Sequence, residues 1–320
     1  LTCVSYDWME RLHRWREHLP DQVELCIASP DVIRGLQSKA FQVEQARAVG
    51  LRVLPTAFIS SVQDVGRARG LYPLVLRPDD QRFVRPFFKA EIIHSEEELT
   101  RFIAAVKRLE RPLVAQPYIN GPNLIVHGYR TASGHVEQVP FLVERKYQAL
   151  SLTLTRTKFP AGLDECCRAL ADKMGLVGIY HFDFLFSRAD EEPWFLEVNG
   201  RLGGTTGKIF SLGVDEPASL LSCFGFDVPD KMHEEKFDGN LVVTNKWAVM
   251  KAMNDAVRGR ITLIDYPNVN RLQRLWDLVK GMSRWRDEIV GGGSFRSSLA
   301  YYSQVRPAWW NRRVRKGERR

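Results

Sequence analysis

Two acidic residues and an amide lie on two neighbouring predicted strands, and an arginine follows shortly after the second strand. The runs YHFDFLF and WFLEVN are rich in apolar and aromatic side chains, and the polar segment SRADEEP between them is typical of a hairpin turn. If the turn centres near Asp190, Asp183 lies directly across from Glu197, because each is seven residues from the centre. Side chains alternate along a strand, so Asn199 shares a face with Glu197. The sequence therefore predicts three oxygen-bearing side chains at one point.

The apolar residues of the same hairpin define its opposite face. Alternation assigns to this face Phe182, Phe184, Phe186, Trp194, Leu196 and Val198. Phe195 is expected on the polar face beside Glu197. We therefore expect the apolar faces of the two strands to be buried together.

Three hard oxygen ligands at one point suit Mg²⁺. Two carboxylates held this close repel each other, and one of them keeps its proton unless a cation lies between them. Arg201 follows Asn199 by two residues, where it could meet a phosphate, and the run GRLGGTTG supplies backbone donors for an anion. The alternative is a solvent-facing polar strand followed by a glycine-rich loop, which the combined pattern disfavours.

Two further residues near this pattern are open to a functional or a structural interpretation. Lys208 lies just past the glycine-rich run and could contact a substrate carboxylate. His181 lies beside the acidic cluster, although a polar strand position is the default for a histidine on a hairpin.

The segment GIYHFDFLFSRADEEPWFLEVNGRLGG resembles the metal-binding end of the ATP-grasp superfamily, whose pattern is an acid on one strand and Glu-x-Asn-x-Arg on the next. The resemblance implies that Asp183, Glu197 and Asn199 bind Mg²⁺, with Mn²⁺ as an alternative ion. It also implies that Arg201 is a catalytic residue that stabilises charge on the transferred phosphoryl group.

Three basic residues fall where members of this superfamily contact the nucleotide. The stretch SKAFQVEQARAVGLRVLPT is similar to the superfamily's "DK…A…G…P.T" pattern and places Lys39 at a phosphate-contacting lysine. The stretch YPLVLRPDD resembles a second pattern, with Arg77 where lysine is usual. The stretch ERKY places Lys146 at a further position that faces the nucleotide.

The segment LVAQPYINGPN resembles the hinge by which the superfamily grips adenine and ribose. This match places Gln116, Tyr118 and Ile119 along the base and Asn123 near the ribose. The similarity extends in register from about residue 20 to residue 228.

The resemblance implies a mixed α/β (α+β) architecture: an ATP-grasp fold whose two sheet-containing subdomains clamp a nucleotide, with a partly helical C-terminal extension. ATP and Mg²⁺ would convert a carboxylate to an acylphosphate, which an amine or a similar nucleophile attacks. The implied partners are small-molecule carboxylate and amine substrates. Within the superfamily, NGRLGGTTGKIFSLGVDEPASLL is closest to the carbamoyl-phosphate-synthetase-like branch, which includes carboxylate–amine ligases.

One departure from the superfamily pattern favours a different function. The loop DDQRFVRPFFKA contains no glycine, although loops that close over phosphates are usually rich in glycine or serine. Its basic residues Arg82, Arg85 and Lys89 either compensate electrostatically or form a solvated face. The alternative is a non-catalytic, regulatory ATP-binding module that keeps the fold without turnover.

The elements that must position these residues follow from periodicity and capping signals. Helices are predicted at 7–19, 38–50, 95–112 and 162–175, strands at 23–29, 72–78 and 113–119, and hairpins at 123–143 and 180–199. We expect a remnant of, or a linker from, an N-terminal α/β domain at 1–45, a small ATP-grasp subdomain at 46–118, a large one at 119–228, an extension at 229–305 and a basic tail at 306–320.

Charge and composition limit the classes of partner. The 320 residues carry a net charge of +8, and seven Arg or Lys with one Glu place +6 of it in residues 306–320. The body is therefore not a basic nucleic-acid binder, and no specific nucleic acid is expected as a partner. Five cysteines without a paired spacing indicate reduced thiols, hence a cytoplasmic protein. Trp309 and Trp310 beside the tail's cations leave open a weak contact with anionic membranes, which would make the protein membrane-peripheral.

Overall fold

Two main β-sheets, one of four strands and one of seven, organise the chain in a computed structural model. The structure describes residues 1–148, 150–187, 192–228, 239–262 and 265–292. The expected basic tail and the turn expected around Asp190 lie outside these residues.

Helices and strands are mixed along the described chain. The helices are α1 (Tyr6–Arg14), α2 (Pro30–Leu36), α3 (Lys39–Ala48), α4 (Glu96–Ala105), α5 (Leu163–Lys173), α6 (Thr206–Phe210), α7 (Glu216–Cys223), α8 (Lys246–Val257), α9 (Arg271–Arg284) and α10 (Glu288–Gly292). The strands are β1 (Ala57–Ile59), β2 (Leu74–Pro78), β3 (Val84–Arg85), β4 (Glu91–Ile93), β5 (Arg108–Leu109), β6 (Leu113–Pro117), β7 (Asn123–Arg130), β8 (Val136–Val143), β9 (Lys146–Tyr147), β10 (Leu150–Ser151), β11 (Thr153–Arg156), β12 (Gly178–Ser187), β13 (Glu192–Asn199), β14 (Val242–Thr244) and β15 (Arg286–Asp287). The predicted α/β class is confirmed.

The four-stranded sheet has the order β1-β6-β2-β4, and all its neighbouring strands are antiparallel. Along β2, Leu74 and Leu76 are fully buried, and they share a hydrophobic core with Leu99 of α4. Because side chains alternate along a strand, Val75 and Arg77 emerge from the opposite face. This sheet therefore directs Arg77 away from its helix-covered side.

The seven-stranded sheet has the order β13-β12-β7-β8-β11-β14-β15 and is antiparallel except for the pair β14–β15. On one face, Phe182 packs in a core with Cys167 and Leu170 of α5. On the other face, Phe141 packs with Ile209 of α6. The residues of β12 that alternate with Phe182 therefore lie on the face that α5 does not cover.

The two ends of the chain add to this frame. The N-terminal helices α1 and α2 share a core that includes Met9 and Ile33. At the other end, β14 and β15 extend the large sheet, and α8 and α9 pack together through Val249 and Leu278. No helix in the described part of the chain combines the length and the apolar character that a bilayer crossing needs.

Three predicted elements differ from the structure. The segment predicted as a strand at 23–29 is irregular, although Cys26, Ile27 and Ala28 within it are buried. The helix predicted at 7–19 ends at Arg14 and is followed by a 3₁₀ turn. The helix predicted to reach Pro112 ends at Ala105, because Arg108 and Leu109 leave it to pair with β3.

Candidate active site

A cavity of about 740 Å³ lies between the two sheets. The small sheet contributes side chains from β2 and β6, and the large sheet contributes side chains from β7, β12 and β13. All the site residues proposed from the sequence line it: Lys39, Arg77, Gln116, Tyr118, Ile119, Asn123, Lys146, Asp183, Glu197, Asn199 and Arg201. Residues that are far apart in sequence therefore share one cavity.

The two acidic residues of the β12–β13 hairpin face each other. Asp183 pairs with Glu197 across the ladder, which confirms this predicted pairing. Asn199 Nδ2 donates to Asp183 Oδ2 at 3.2 Å and lies 3.5 Å from Glu197 Oε1. The two ends of an amide can exchange places by a half-turn of the side chain, so Asn199 can also present its oxygen to a cation.

The electrostatics of this pair favour a cation. Burial raises the pKa of Asp183 well above its ordinary range, and the nearby Glu197 carboxylate adds to the rise. Burial alone would also raise the pKa of Glu197, but Lys39 and Arg77, each with a nitrogen 3.9 Å from Glu197 Oε2, hold it below its usual value. The absence of a cation therefore favours the protonated form of Asp183, and a divalent ion would take the place of that proton.

The donor set is compatible with Mg²⁺. The described residues contain no metal-binding group of three or more His, Cys, Asp or Glu side chains, and the pair Asp183 and Glu197 supplies only two such ligands. Two carboxylates and an amide leave the remaining coordination positions to phosphate oxygens and water. Sites where Mg²⁺ binds together with substrate phosphates have this composition.

A β-bulge corrects the predicted faces of β13. The register shifts directly after the Asp183–Glu197 pair, so Phe184 pairs with Phe195. Phe195 is consequently buried in the core, whereas Leu196 lines the cavity. The backbone N–H of Phe195 donates to the carbonyl of Arg52 at 2.8 Å, a contact made outside the hairpin. The expectation that Leu196 is buried and Phe195 lies on the polar face is therefore wrong.

Two basic side chains approach the acidic pair from the small-sheet side. Lys39 opens helix α3, and Asp79 fixes this end because its Oδ1 accepts the backbone N–H of Lys39 at 2.6 Å. Arg77 Nη2 donates to Gln116 Oε1 at 2.7 Å. Gln116 in turn donates to the hydroxyl of Thr56 at 3.0 Å. Hydrogen bonds therefore hold both Lys39 and Arg77 near Glu197.

The loop that joins the two sheets lines the opposite part of the cavity. It follows β6 and contains Tyr118, whose backbone N–H donates to the carbonyl of Pro73 at 2.8 Å, and Ile119. At the start of β7, Asn123 Oδ1 accepts a hydrogen bond from Lys146 Nζ at 3.0 Å. Burial lowers the pKa of Lys146 to about 8. Tyr118 and Ile119 thus line the same cavity as a partly desolvated cation.

Comparison with protein-family models and with curated proteins gives no match. Among solved structures, a biotin carboxylase from Campylobacter jejuni aligns with a TM-score of 0.57 and 15% identity, over 73% of this chain and 55% of its own. The biotin carboxylase domain of 2-oxoglutarate carboxylase from Hydrogenobacter thermophilus aligns with a TM-score of 0.58 and 16% identity, over 74% and 55%. The chain has the ATP-grasp fold.

An N5-carboxyaminoimidazole ribonucleotide synthetase aligns over more of its length, with a TM-score of 0.58 and 13% identity over 88% of this chain and 78% of its own. The chain spans about 55% of the length of the two biotin carboxylases. At these identities the similarity concerns the ATP-grasp fold alone.

The N-terminal helix supports Arg201 in this ATP-grasp cavity. The guanidinium carbon of Arg201 lies 5.6 Å from the centre of the Tyr6 ring. The Tyr6 hydroxyl accepts the backbone N–H of Gly200 at 2.9 Å, and burial raises its pKa to about 12, so it stays protonated. Tyr6 could not be inferred from the sequence, because it lies outside the region that resembles the ATP-grasp superfamily.

A buried glutamine fixes the strand that carries two of the proposed metal ligands. Gln42 Oε1 accepts the backbone N–H of Val198 at 2.8 Å, and Gln42 Nε2 donates to the Val198 carbonyl at 3.2 Å. Val198 lies between Glu197 and Asn199 on β13, the edge strand of the large sheet. The Gln42 side chain therefore makes, at this sheet edge, the backbone hydrogen bonds that a further strand would otherwise make. No local sequence pattern distinguishes it from a surface residue of α3.

Residues from the C-terminal extension form part of the cavity lining. Lys208 Nζ lies 3.3 Å from Glu288 Oε2, and Asn245 Nδ2 donates to Glu288 Oε1 at 2.7 Å. Lys251 and Trp247 of α8 also line the cavity. Only Lys208 was considered from the sequence, because the C-terminal residues follow no recognisable motif.

A buried polar network underlies the glycine-rich loop. His127 Nδ1 lies 2.7 Å from Glu216 Oε1, and the Thr206 hydroxyl donates to Glu216 Oε2 at 2.5 Å. His181 stacks on His127 with a ring separation of 5.0 Å, and burial lowers the pKa of His181 to about 3. A neutral His181 therefore faces the cavity beside Asp183.

The three basic residues of the glycine-free loop have different surroundings. Lys89 lines the cavity. Arg82 instead pairs with Asp80 and with Asp7 of α1, each at 2.7 Å. Arg85 donates to the carbonyl of Val84 at 2.6 Å. Of these three, only Lys89 lines the cavity between the two sheets.

Proposed function

We propose that the chain is an ATP- and Mg²⁺-dependent ligase that activates a carboxylate as an acylphosphate for attack by an amine. The observation that carries this proposal is the facing pair Asp183 and Glu197, which projects into a cavity that Lys39, Arg77, Lys146 and Arg201 also line. Two partly buried acids that face each other favour a bound cation, and the surrounding cations favour a bound anion. MgATP supplies both.

The proposed nucleotide contacts follow from positions in the cavity. Lys39, Arg77 and Lys146 would hold the phosphates. The loop after β6 would take the base, through Gln116, Tyr118 and Ile119, with Asn123 near the ribose. The structure of the Hydrogenobacter thermophilus domain contains MgADP and bicarbonate, which supports a nucleotide and a carboxylate-like anion in a cavity of this fold.

In the proposed reaction, an oxygen of the substrate carboxylate attacks the terminal phosphorus of ATP, and ADP leaves. The amine then attacks the acyl carbon, phosphate leaves, and the amine loses a proton. Mg²⁺ held by Asp183, Glu197 and Asn199 would neutralise charge on the phosphate oxygens. Arg201 would stabilise charge on the transferred group. No protein nucleophile is needed, because the carboxylate substrate itself attacks.

The charge of the cavity supports an anionic second substrate. Its described lining contains seven Lys or Arg side chains and three carboxylates, a net charge of +4. Since Mg²⁺ offsets part of the phosphate charge, MgATP would neutralise only about half of this excess. A carboxylate substrate beside Arg201 and Lys208 would balance more of it.

The experiment is product formation with ATP, Mg²⁺ and a panel of carboxylates, with hydroxylamine as the amine. An acylphosphate reacts with hydroxylamine to give a hydroxamate, so ADP and hydroxamate should appear together for the right carboxylate. Glu197→Gln should lower this rate by about 10²–10³-fold, the usual effect of removing one electrostatic contact to a transition state. Glu192→Gln, on the same strand but outside the cavity, should leave it unchanged.

Equal rates for Glu197→Gln and the parent chain would contradict the proposal. ATP binding without ADP release for any carboxylate would favour the alternative, a regulatory ATP-binding module. The attachment of Arg82 to α1 favours that alternative, because it ties down a loop that would need to move over phosphates.

A further inference from the structure

The outer face of α8 and α9 exposes large apolar side chains. On α9, Leu272 is 77% exposed, Trp276 is 62% exposed, and Val279 is also exposed. These positions are four and three residues apart, so they form one stripe along the helix. On α8, Met250 and Val257 are exposed as well. A stripe of this kind on a helix that already buries its other side indicates an interaction surface.

The two helices present these residues together. Helices α8 and α9 pack against each other, and the buried residues Val249 and Leu278 belong to the same core. The Arg271 guanidinium donates to the carbonyl of Val257. The end of α8 therefore lies beside the start of α9, which brings Val257 close to the exposed stripe.

The exposed charged side chains of α9 have one sign: Arg271, Lys280 and Arg284 are all basic. Arg258 and Arg260, which follow the end of α8, are exposed and basic as well. The acids of the two helices are engaged within the protein. Asp255 accepts a hydrogen bond from the Tyr147 hydroxyl at 2.7 Å, and Asp277 binds Arg145. The face is therefore both apolar and cationic.

We infer that the outer face of α8 and α9 docks on an anionic lipid surface. Aliphatic side chains and a tryptophan can enter the headgroup region while surrounding cations meet the lipid phosphates and carboxylates. Lys280 lies over the Trp276 ring at 4.8 Å, which places a charge directly beside the largest apolar group. Single-stranded nucleic acid would instead require several stacking rings, whereas this stripe is mainly aliphatic.

The charge of residues 306–320 is compatible with docking of this face on an anionic lipid surface. Residues 306–320 carry a net charge of +6, so charge complementarity argues against that segment covering a cationic face. It would be attracted to the same anionic surface. This inference does not depend on the proposed ligase activity.

The test is sedimentation of the full chain with vesicles of phosphatidylcholine, with and without phosphatidylserine. Binding is expected only with phosphatidylserine, and it should weaken as salt is added. The double variant Lys280→Glu and Arg284→Glu should lower the partition coefficient by at least about tenfold. Trp276→Ala should lower it and also reduce the quenching of tryptophan fluorescence by brominated lipid.

Trp8→Ala is the matched control. Trp8 is 51% exposed on helix α1, with Arg11 5.1 Å from its ring, but exposed Asp7 lies beside it. Its removal should leave vesicle binding unchanged. Unchanged thermal unfolding of all the variants would show that the exposed substitutions leave the fold intact.

Several results would overturn the inference. One is equal binding to vesicles that lack phosphatidylserine, and another is a loss of binding on deletion of 306–320 with no effect of the α9 variants. Preferential binding to an oligonucleotide at the same salt concentration would assign the face to nucleic acid. Self-association that the α9 variants abolish would assign it to a second copy of the chain.

Discussion

The hydroxyl of Tyr6 accepts the backbone N–H of Gly200 at 2.9 Å, although 194 positions separate the two residues in sequence. The Tyr6 ring also lies under the Arg201 guanidinium. Helix α1 thereby fixes the first two residues after the strand that carries Glu197. The N-terminal segment is therefore part of the structure that positions Arg201.

Two substitutions separate the hydrogen bond of Tyr6 from its ring contact. Tyr6→Phe keeps the ring and should cost about 1 kcal/mol of stability, the usual net value of one hydrogen bond. Tyr6→Ala also removes the support of Arg201, so it should lower kcat with little change in the KM for ATP. Steady-state kinetics and thermal unfolding of both variants provide the measurement. Equal kcat values for Tyr6→Ala and the parent chain would exclude the positioning role.

Replacement of Asp183 should stabilise the protein in the absence of metal. The raised pKa of Asp183 in the folded state means that its contribution to stability falls as pH rises above its ordinary pKa of 3.8. Asp183→Asn removes this cost, so its melting temperature at pH 7 in EDTA should exceed that of the parent chain. It should also lose the increase that Mg²⁺ gives the parent. A lower melting temperature in EDTA would contradict this account.

Lys146 should make nucleotide binding depend on pH. Burial lowers its pKa to about 8, and contact with phosphate favours the charged form, so binding above pH 8 must take up a proton. The affinity for MgATP should then fall by up to about tenfold per pH unit above 8. Lys146→Arg remains charged and should flatten this dependence. Titration calorimetry in buffers of different ionisation enthalpy measures both the affinity and the proton uptake.

Glu216 should be important for stability rather than for nucleotide contact. It is fully buried against His127, and Glu216→Ala would leave that histidine without its carboxylate partner. Loss of one partner of a buried pair typically costs about 3–5 kcal/mol. Burial alone would raise the pKa of Glu216, but His127 holds it below the usual value, so this contribution is lost as pH falls below about 4.5. Denaturant unfolding at pH 7 and pH 4 tests both statements.

The pairing of Asp183 with Glu197 could be predicted because strand alternation and the spacing across a turn are local properties. The start of helix α4 is similar: the sequence predicts a helix from residue 95, and the Ser95 hydroxyl caps this helix by accepting the N–H of Glu98 at 3.2 Å. In both cases the residues that decide the structure lie within about 14 positions of one another, and the sequence alone contains the information.

Features that depend on distant segments could not be predicted in this way. The bulge that buries Phe195 depends on its hydrogen bond to Arg52, which lies on another part of the chain. Gln42 and Glu288 reach the site only because tertiary packing brings α3 and α10 to it. A single sequence gives no pattern for such contacts, since each residue type there is also common on protein surfaces.

The bulge in β13 also separates two functions of the hairpin. The Asp183–Glu197 pair lies on one side of it, where β12 is held along its other edge by β7. The strand ends that lead into the turn, at Ser187 and Glu192, lie on the other side. A β-bulge confines a change in the pairing register of two strands to its own position. Insertion or loss of a residue in the turn would therefore leave the spacing of the two carboxylates intact, so the length of this hairpin can vary between related chains while its chemistry is retained.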